Sequence, residues 1–151
     1  MNVLESFSLK GKVALVTGGA GLYGRQIVEA LAEAGAETYI ASRNLESLQQ
    51  VAKEEVERGY NVTAKQLDLS QDESIEKLHS DIITKSGKCD ILINNAVSRE
   101  FGSAGWKNTL DDFDKSLRIN ASALFKITEM FAEDMKKNKV KYYSVGRPNI
   151  N

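Results

Sequence analysis

The sequence holds one cysteine, Cys89, and one histidine, His79. That scarcity excludes an intrachain disulfide framework, a thiolate cluster for zinc or iron–sulfur, and a multi-histidine metal site. Cys89 reads as a small residue leading into an apolar strand. Proline occurs once, at Pro148, and no linker or low-complexity tract interrupts the chain, so nothing marks an interdomain boundary. An excess of one charge is missing too. Twenty Lys plus Arg stand against 21 Asp plus Glu, a formal net charge of -1, so no global field favours nucleic acid or an anionic membrane surface as a partner. No apolar run approaches the ~20 residues of a membrane span, and Met1 to Lys10 lacks the apolar block and cleavage site of a signal peptide. The expectation is a cytoplasmic chain forming a single domain over 1–151, long enough to bury roughly 70% of its unfolded surface.

What is present is an alternation of short apolar runs and helical patterns. Lys12 to Thr17 is a buried strand stopped by Gly18 and Gly19. Ile27, Val28, Leu31 and Ala34 then recur at helical spacing, with Gly35 as the stop. Glu37 to Ala41 is a second strand, and Asn44 caps a helix marked by Leu45, Leu48, Val51, Ala52 and Val56 and closed by Gly59. Asn61 to Leu67 is a third strand. Ser70-Gln71-Asp72-Glu73 has the pattern of a capping box for a helix carrying Ile75, Leu78 and Ile82 and closed by Gly87. Asp90 to Ile93 is a fourth strand delivering Asn94 and Asn95 at its end. Thr109 to Asp112 opens another helix, and Leu124, Ile127, Phe131 and Met135 share a further helical face. Strand–helix units of about 25 to 30 residues predict an α/β fold, a Rossmann-type doubly wound parallel sheet in three αβα layers with strand order 3-2-1-4.

Gly19-Ala20-Gly21-Leu22-Tyr23-Gly24 is a G-x-G-x-x-G run between the first strand and the first helix, the context in which backbone amides and a positive helix end receive a pyrophosphate. No Lys-Ser or Lys-Thr follows, which excludes a Walker-type loop. An NAD-selective unit places Asp or Glu roughly 20 residues beyond the glycines, for the ribose 2′-hydroxyl. This chain has Ala41-Ser42-Arg43 there. A guanidinium suits a 2′-phosphate, and Ser42 removes the carboxylate that would repel it, so NADP is expected over NAD. The other reading of Arg43 is an exposed residue near a helix start.

Thr17-Gly18-Gly19-Ala20-Gly21-Leu22-Tyr23-Gly24, then Asp68-Leu69, then Asn94-Asn95-Ala96-Val97, then Asn120 occur in the order seen in the short-chain dehydrogenase/reductase family, which the chain resembles from about Lys10 to Met135. The resemblance implies that Gly18, Gly19, Gly21, Leu22, Tyr23 and Gly24 carry the cofactor turn with Ser42 and Arg43. It implies that Asp68 and Leu69 border the adenine, that Asn95 and Ala96 line the cofactor cleft, and that Asn120 belongs to the catalytic tetrad. The other reading of Asp68 is a turn residue before a helix. Two positions depart from the family's simple reductases. Leu22 stands where they carry a middle glycine, and Val97, at the close of their Asn-Asn-Ala-Gly signature, would narrow the cleft near the nicotinamide.

The family's chemistry also uses a Ser, a Tyr general acid/base and a Lys four residues later. A Tyr with its ordinary pKa of about 10 carries protons poorly at neutral pH unless a cation stabilises its phenolate. Here Tyr142 is followed four residues on by Gly146 and Tyr143 by Arg147, and with Ser144 they read as a tail over 136–151 unlike the family. Lys136, Lys137, Lys139 and Lys141 read as complements to a helix C-terminus rather than a nucleic-acid patch, and Trp106 as a packing anchor. The expectation is therefore an NADP-binding oxidoreductase domain incomplete after the fourth βα unit and inactive alone, with an unknown small-molecule substrate and uncovered apolar surface that favours self-association. The alternatives are a non-catalytic dinucleotide-binding module or an inactive remnant.

Overall fold

The computed structural model describes residues 3–98 and 108–138. Trp106, Lys139, Lys141, Tyr142, Tyr143, Ser144, Gly146 and Arg147 lie outside the described residues. Four strands, β1 (Val13–Thr17), β2 (Glu37–Ser42), β3 (Val62–Gln66) and β4 (Ile91–Asn94), form one parallel sheet in the order β3-β2-β1-β4. A single turn, α1 (Val3–Ser6), precedes β1 and had no counterpart in the sequence reading. The helices are α2 (Leu22–Glu33), α3 (Leu45–Glu57), α4 (Asp72–Ser86), α5 (Leu110–Leu117) and α6 (Ala123–Lys137).

Side chains alternate across a strand, so β1 feeds two separate cores. Val13 and Leu15, with Tyr39 and Ala41 of β2, pack against Ile75, Leu78 and Ile82 of α4 and Ala123, Ile127, Phe131 and Met135 of α6. On the opposite face, Val16, Ile40 and Val62 pack against Val28 and Ala32 of α2 and Leu48, Val51 and Ala52 of α3. Helices thus cover both sides of the sheet, which is why every position of β1 is buried. β4 is half-buried along its whole length, as an edge strand among the described residues.

Cys89 is fully buried just before β4, where loss of water pushes its thiol up to about 12, in keeping with a packing role. Its neighbour Asp90 ties the start of β4 to β1: the carboxylate accepts the Val13 N–H at 2.9 Å and pairs with Lys88 at 3.0 Å.

Two local expectations change. The Ser70–Glu73 capping box does not form: α4 starts after Gln71, and the Ser70 hydroxyl instead donates to Asp68 at 2.7 Å. Ser74 fills a capping-like role from inside the helix, its Oγ accepting the Asp68 N–H at 2.9 Å. The two final helical patterns, expected as separate helices, are continuous. A full capping box between Thr109 and Asp112 opens α5, and a π-helical turn at Arg118–Ser122 passes directly into α6.

Candidate functional site

The C-terminal ends of the strands and the loops that leave them enclose a cleft of about 480 Å³. From the β1–α2 turn it is lined by Gly18, Gly21, Leu22, Tyr23 and Gly24. From the end of β2 come Ser42, Arg43 and Asn44, and from the end of β3 Leu67, Asp68 and Leu69. Asn95, Ala96, Val97 and Ser98 contribute from beyond β4, and Ile119 from the π-helical turn. The topology explains the convergence: the chain leaves β1 toward one neighbour and reaches β4 on the other side, which opens a crevice at the point where strand order reverses.

The turn is held by residues 77 or more positions away. Asn95 donates from Nδ2 to the Gly18 carbonyl at 3.1 Å. The Thr17 hydroxyl, almost wholly buried, accepts the N–H groups of Asn95 at 3.1 Å and Ala96 at 3.0 Å. Gly18 has φ of 71°, and a Cβ there would stand 3.0 Å from Ala96 Cα, so this approach of two backbones needs glycine. At Gly24 a Cβ would collide with the Gly18 carbonyl oxygen and lie 2.9 Å from Gly19 Cα, which fixes how closely α2 packs on the turn.

Gly19, expected among the cofactor contacts, lies outside the cleft lining. A Cβ on it would meet Ile40 Cβ at 2.8 Å and Val28 Cγ2 at 3.5 Å, so its small size serves packing of the turn onto β2 and α2. Thr17 is the residue the sequence reading passed over. Thr17 heads the family motif, and as a buried polar side chain closing a strand it signals a hydrogen-bond partner that only the β4 loop supplies.

The electrostatics of the cleft are asymmetric. Helices α3, α4 and α5 each carry carboxylates in the first turn, Glu46, Asp72 with Glu73, and Asp111 with Asp112. α2 has none, and its N-cap is Gly21, which has no side chain to satisfy the first N–H groups. The helix that opens into the cleft therefore keeps its positive end available to an anion. Across from it, Arg43 is exposed on the rim. The carboxyl of Asp68 lies below its ordinary range, first because it accepts the Ser70 hydroxyl and N–H, and in smaller part because the Arg43 charge is near. Asp68 is thus both a turn residue and a wall of the cleft.

Asn120 stands behind the wall rather than in the lining. It lies in the π-helical turn, and its carboxamide brackets one backbone unit: Oδ1 accepts the Ser98 N–H at 2.8 Å, while Nδ2 donates to the Ser98 carbonyl at 2.9 Å and to Ser116 Oγ at 3.1 Å. Val97 is exposed at the cleft mouth. A uniformly positive helix end, glycine backbone and a nearby guanidinium form a donor set that fits a dinucleotide carrying phosphates. Among the described residues no cluster of His, Cys, Asp and Glu could hold a metal ion, and no helix is long and apolar enough to cross a membrane.

Comparison with known proteins agrees with this geometry. Residues 12–141 match the short chain dehydrogenase family. The chain is 34% identical over 132 residues to a short chain dehydrogenase/reductase, dpchG, of Colletotrichum higginsianum, covering 87% of this chain and 49% of that protein. It is 28% identical to the 7alpha-hydroxysteroid dehydrogenase of Escherichia coli, covering 89% and 52%. The solved structure of a 7 alpha-hydroxysteroid dehydrogenase with NADH and 7-oxo glycochenodeoxycholic acid superposes with a TM-score of 0.82 at 28% identity, over 91% of this chain and 53% of that one. A metagenomic short-chain oxidoreductase in complex with NADP superposes at 0.81 and 30% identity, over 87% and 59%. The chain spans about half the length of the relatives it matches. With the sheet order, the glycine turn and the Asn95 and Asn120 contacts in place, this chain belongs to the short-chain dehydrogenase/reductase family.

Proposed function

We propose that the chain is the cofactor-binding part of an oxidoreductase that exchanges hydride between a nicotinamide dinucleotide and a carbonyl or hydroxyl of a small substrate, with NADP(H) preferred over NAD(H). The observation that carries the preference is Arg43 on the cleft rim just after β2, with Ser42 at the strand end where an NAD-selective unit would place a carboxylate. The related structures include both an NADP and an NADH complex, so the choice rests on this chain's own residues.

When bound, the dinucleotide supplies or accepts the hydride. The chain's residues bind and orient it. The open N-terminus of α2 offers N–H groups to the pyrophosphate. Arg43 offers paired donors and a charge to a 2′-phosphate. Thr17 and Asn95 hold the turn against the β4 loop, and Asn120 fixes Ser98 at the cleft wall. No Tyr-x-x-x-Lys occurs in the 151 residues, so no phenol with a stabilising ammonium is supplied to carry the proton. General acid–base assistance is worth about 10²- to 10⁴-fold, and we expect these residues by themselves to bind nucleotide without steady reduction of ketones, aldehydes or quinones.

Binding of 2′,5′-ADP and 5′-ADP followed by calorimetry tests the reading. Tighter binding of the 2′-phosphorylated form supports it. Binding of neither removes the nucleotide site, and steady NADPH-dependent turnover lost in Tyr143→Phe would make the tail an active site.

A further inference from the structure

The π-helical turn that carries Asn120 is flanked by two cations, Arg118 at its first residue and Lys126 four residues beyond its last. Both reach the same carboxylate on another helix. Asp72, at the start of α4, pairs with Arg118 through Oδ1 and lies 3.5 Å from Lys126 Nζ through Oδ2. Lys126 also pairs with Glu76, one turn further along α4, at 2.6 Å. The Arg118 contact leads the causes that hold the Asp72 carboxyl below its ordinary range, and the Glu76 contact leads those that raise Lys126.

Helix geometry gives this arrangement a consequence. In an uninterrupted α-helix, residues eight apart point about 80° away from each other. A π-helical turn inserts one residue, so Arg118 and Lys126 behave as residues seven apart and align within about 20°. The insertion is visible as the Ala123 N–H donating to the Arg118 carbonyl, five residues back. Asp72 and Glu76, four apart, already share a face of α4. Accommodating the extra residue thus brings the two cations onto the face that meets the two carboxylates.

We infer that Asp72 and Arg118, with Lys126 and Glu76, are positioning residues whose ion network selects the π-helical register and thereby sets Asn120 against Ser98. The pairs are partly exposed, and each alone contributes little. Their effect lies in favouring one helical register over the other. It also links the loop bearing Asp68 and Leu69, just before α4, to the turn bearing Asn120. The consequence for nicotinamide chemistry rests on the function proposed above, whereas the register itself does not.

The test is nuclear magnetic resonance on the nucleotide-free 151-residue chain. It reads hydrogen exchange at the Ala123 and Ser98 N–H groups and the Asn120 side-chain amide, with β1 amides as controls. Arg118→Gln and Asp72→Asn should each speed exchange at these three sites by about threefold or more, with β1 amides unchanged, and Arg118→Lys should stay near wild type. Raising salt from about 0.05 M to about 1 M should shift wild type toward the Arg118→Gln pattern. Should Arg118→Gln unfold the chain, Asp72→Asn, altered at an exposed helix start, carries the comparison. Unchanged exchange at Ala123 and Asn120 in Asp72→Asn overturns the inference, as does equal loss in Arg118→Gln and Arg118→Lys. A parallel NADPH titration keeps the outcomes apart, because absent binding would contradict the proposed function and leave the register result standing.

Discussion

Asn120 closes on the backbone of Ser98 from both sides, accepting its N–H at 2.8 Å and donating to its carbonyl at 2.9 Å. A single carboxamide thus fixes the segment that leaves β4 and lines the cleft mouth. Asn120→Ala leaves the partly buried N–H and carbonyl of Ser98 without these partners, and should lower stability by about 1–3 kcal/mol in urea denaturation. Asn120→Asp should be at least as damaging, since a second carboxylate oxygen would replace the donor that faces the Ser98 carbonyl. Wild-type midpoints for both variants would show that the bracket is incidental.

Thr17 presents a sharper case, because one hydroxyl accepts two backbone N–H groups from 78 and 79 residues away. Thr17→Val keeps the shape and removes the acceptor, and is expected to cost about 2–4 kcal/mol, while Thr17→Ser should lie within about 1 kcal/mol of wild type. Thermal melts of the two variants side by side check this, and equal losses would assign the effect to the methyl group.

The glycines of the turn separate by what lies opposite each. Gly24→Ala pushes a methyl into the Gly18 carbonyl and should destabilise the chain strongly, whereas Gly21→Ala adds a Cβ at 3.4 Å from that same oxygen and should be tolerated within about 0.5 kcal/mol. Gly19→Val should behave like the first, through Ile40. Denaturant midpoints would rank the three, and a stable Gly24→Ala would contradict the packing described.

Much of this was legible in sequence, for reasons that are local. The strands and helices follow from apolar runs separated by helical patterns, and the order 3-2-1-4 from the doubly wound fold that such alternation implies. The glycine turn is a motif whose meaning depends only on the strand before it and the helix after it. Asp68, Asn95 and Asn120 were found through the family resemblance. What was missed depends on distance. The role of Thr17 needs the β4 loop, and the inward position of Gly19 needs Ile40 on the next strand. Ser70 and Ser74 both suit a helix start, and only the position of Asp68 lets it engage both, Ser70 through its carboxylate and Ser74 through its N–H. The π-helical turn hides because Thr109–Asp112 and the face from Leu124 to Met135 each read as a helix of their own, and no local signal marks the extra residue between them.

Acid should weaken the fold in part through Asp68. Its carboxyl is held low by the Ser70 hydroxyl and N–H, with Arg43 adding to this, so the folded chain resists protonation more than the unfolded one. That stability is present above the unfolded carboxylate value of about 3.9 and is lost as pH falls through the lower folded value. Asp68→Asn should therefore flatten the acid limb of a stability–pH profile measured by urea denaturation. An unchanged limb would show that the Ser70 contacts do not distinguish the charged from the neutral form.

The central claim is that the cleft binds a dinucleotide and that Arg43 reads its 2′-phosphate. The direct measurement is calorimetric titration of NADPH and NADH into the wild-type chain and Arg43→Asp. A guanidinium paired with a phosphate is worth about 1.5–3 kcal/mol, so NADPH should bind wild type about tenfold or more tighter than NADH, and Arg43→Asp should abolish or reverse that preference while leaving NADH binding largely intact. Equal affinities for the two nucleotides, unaltered by the substitution, would contradict the account.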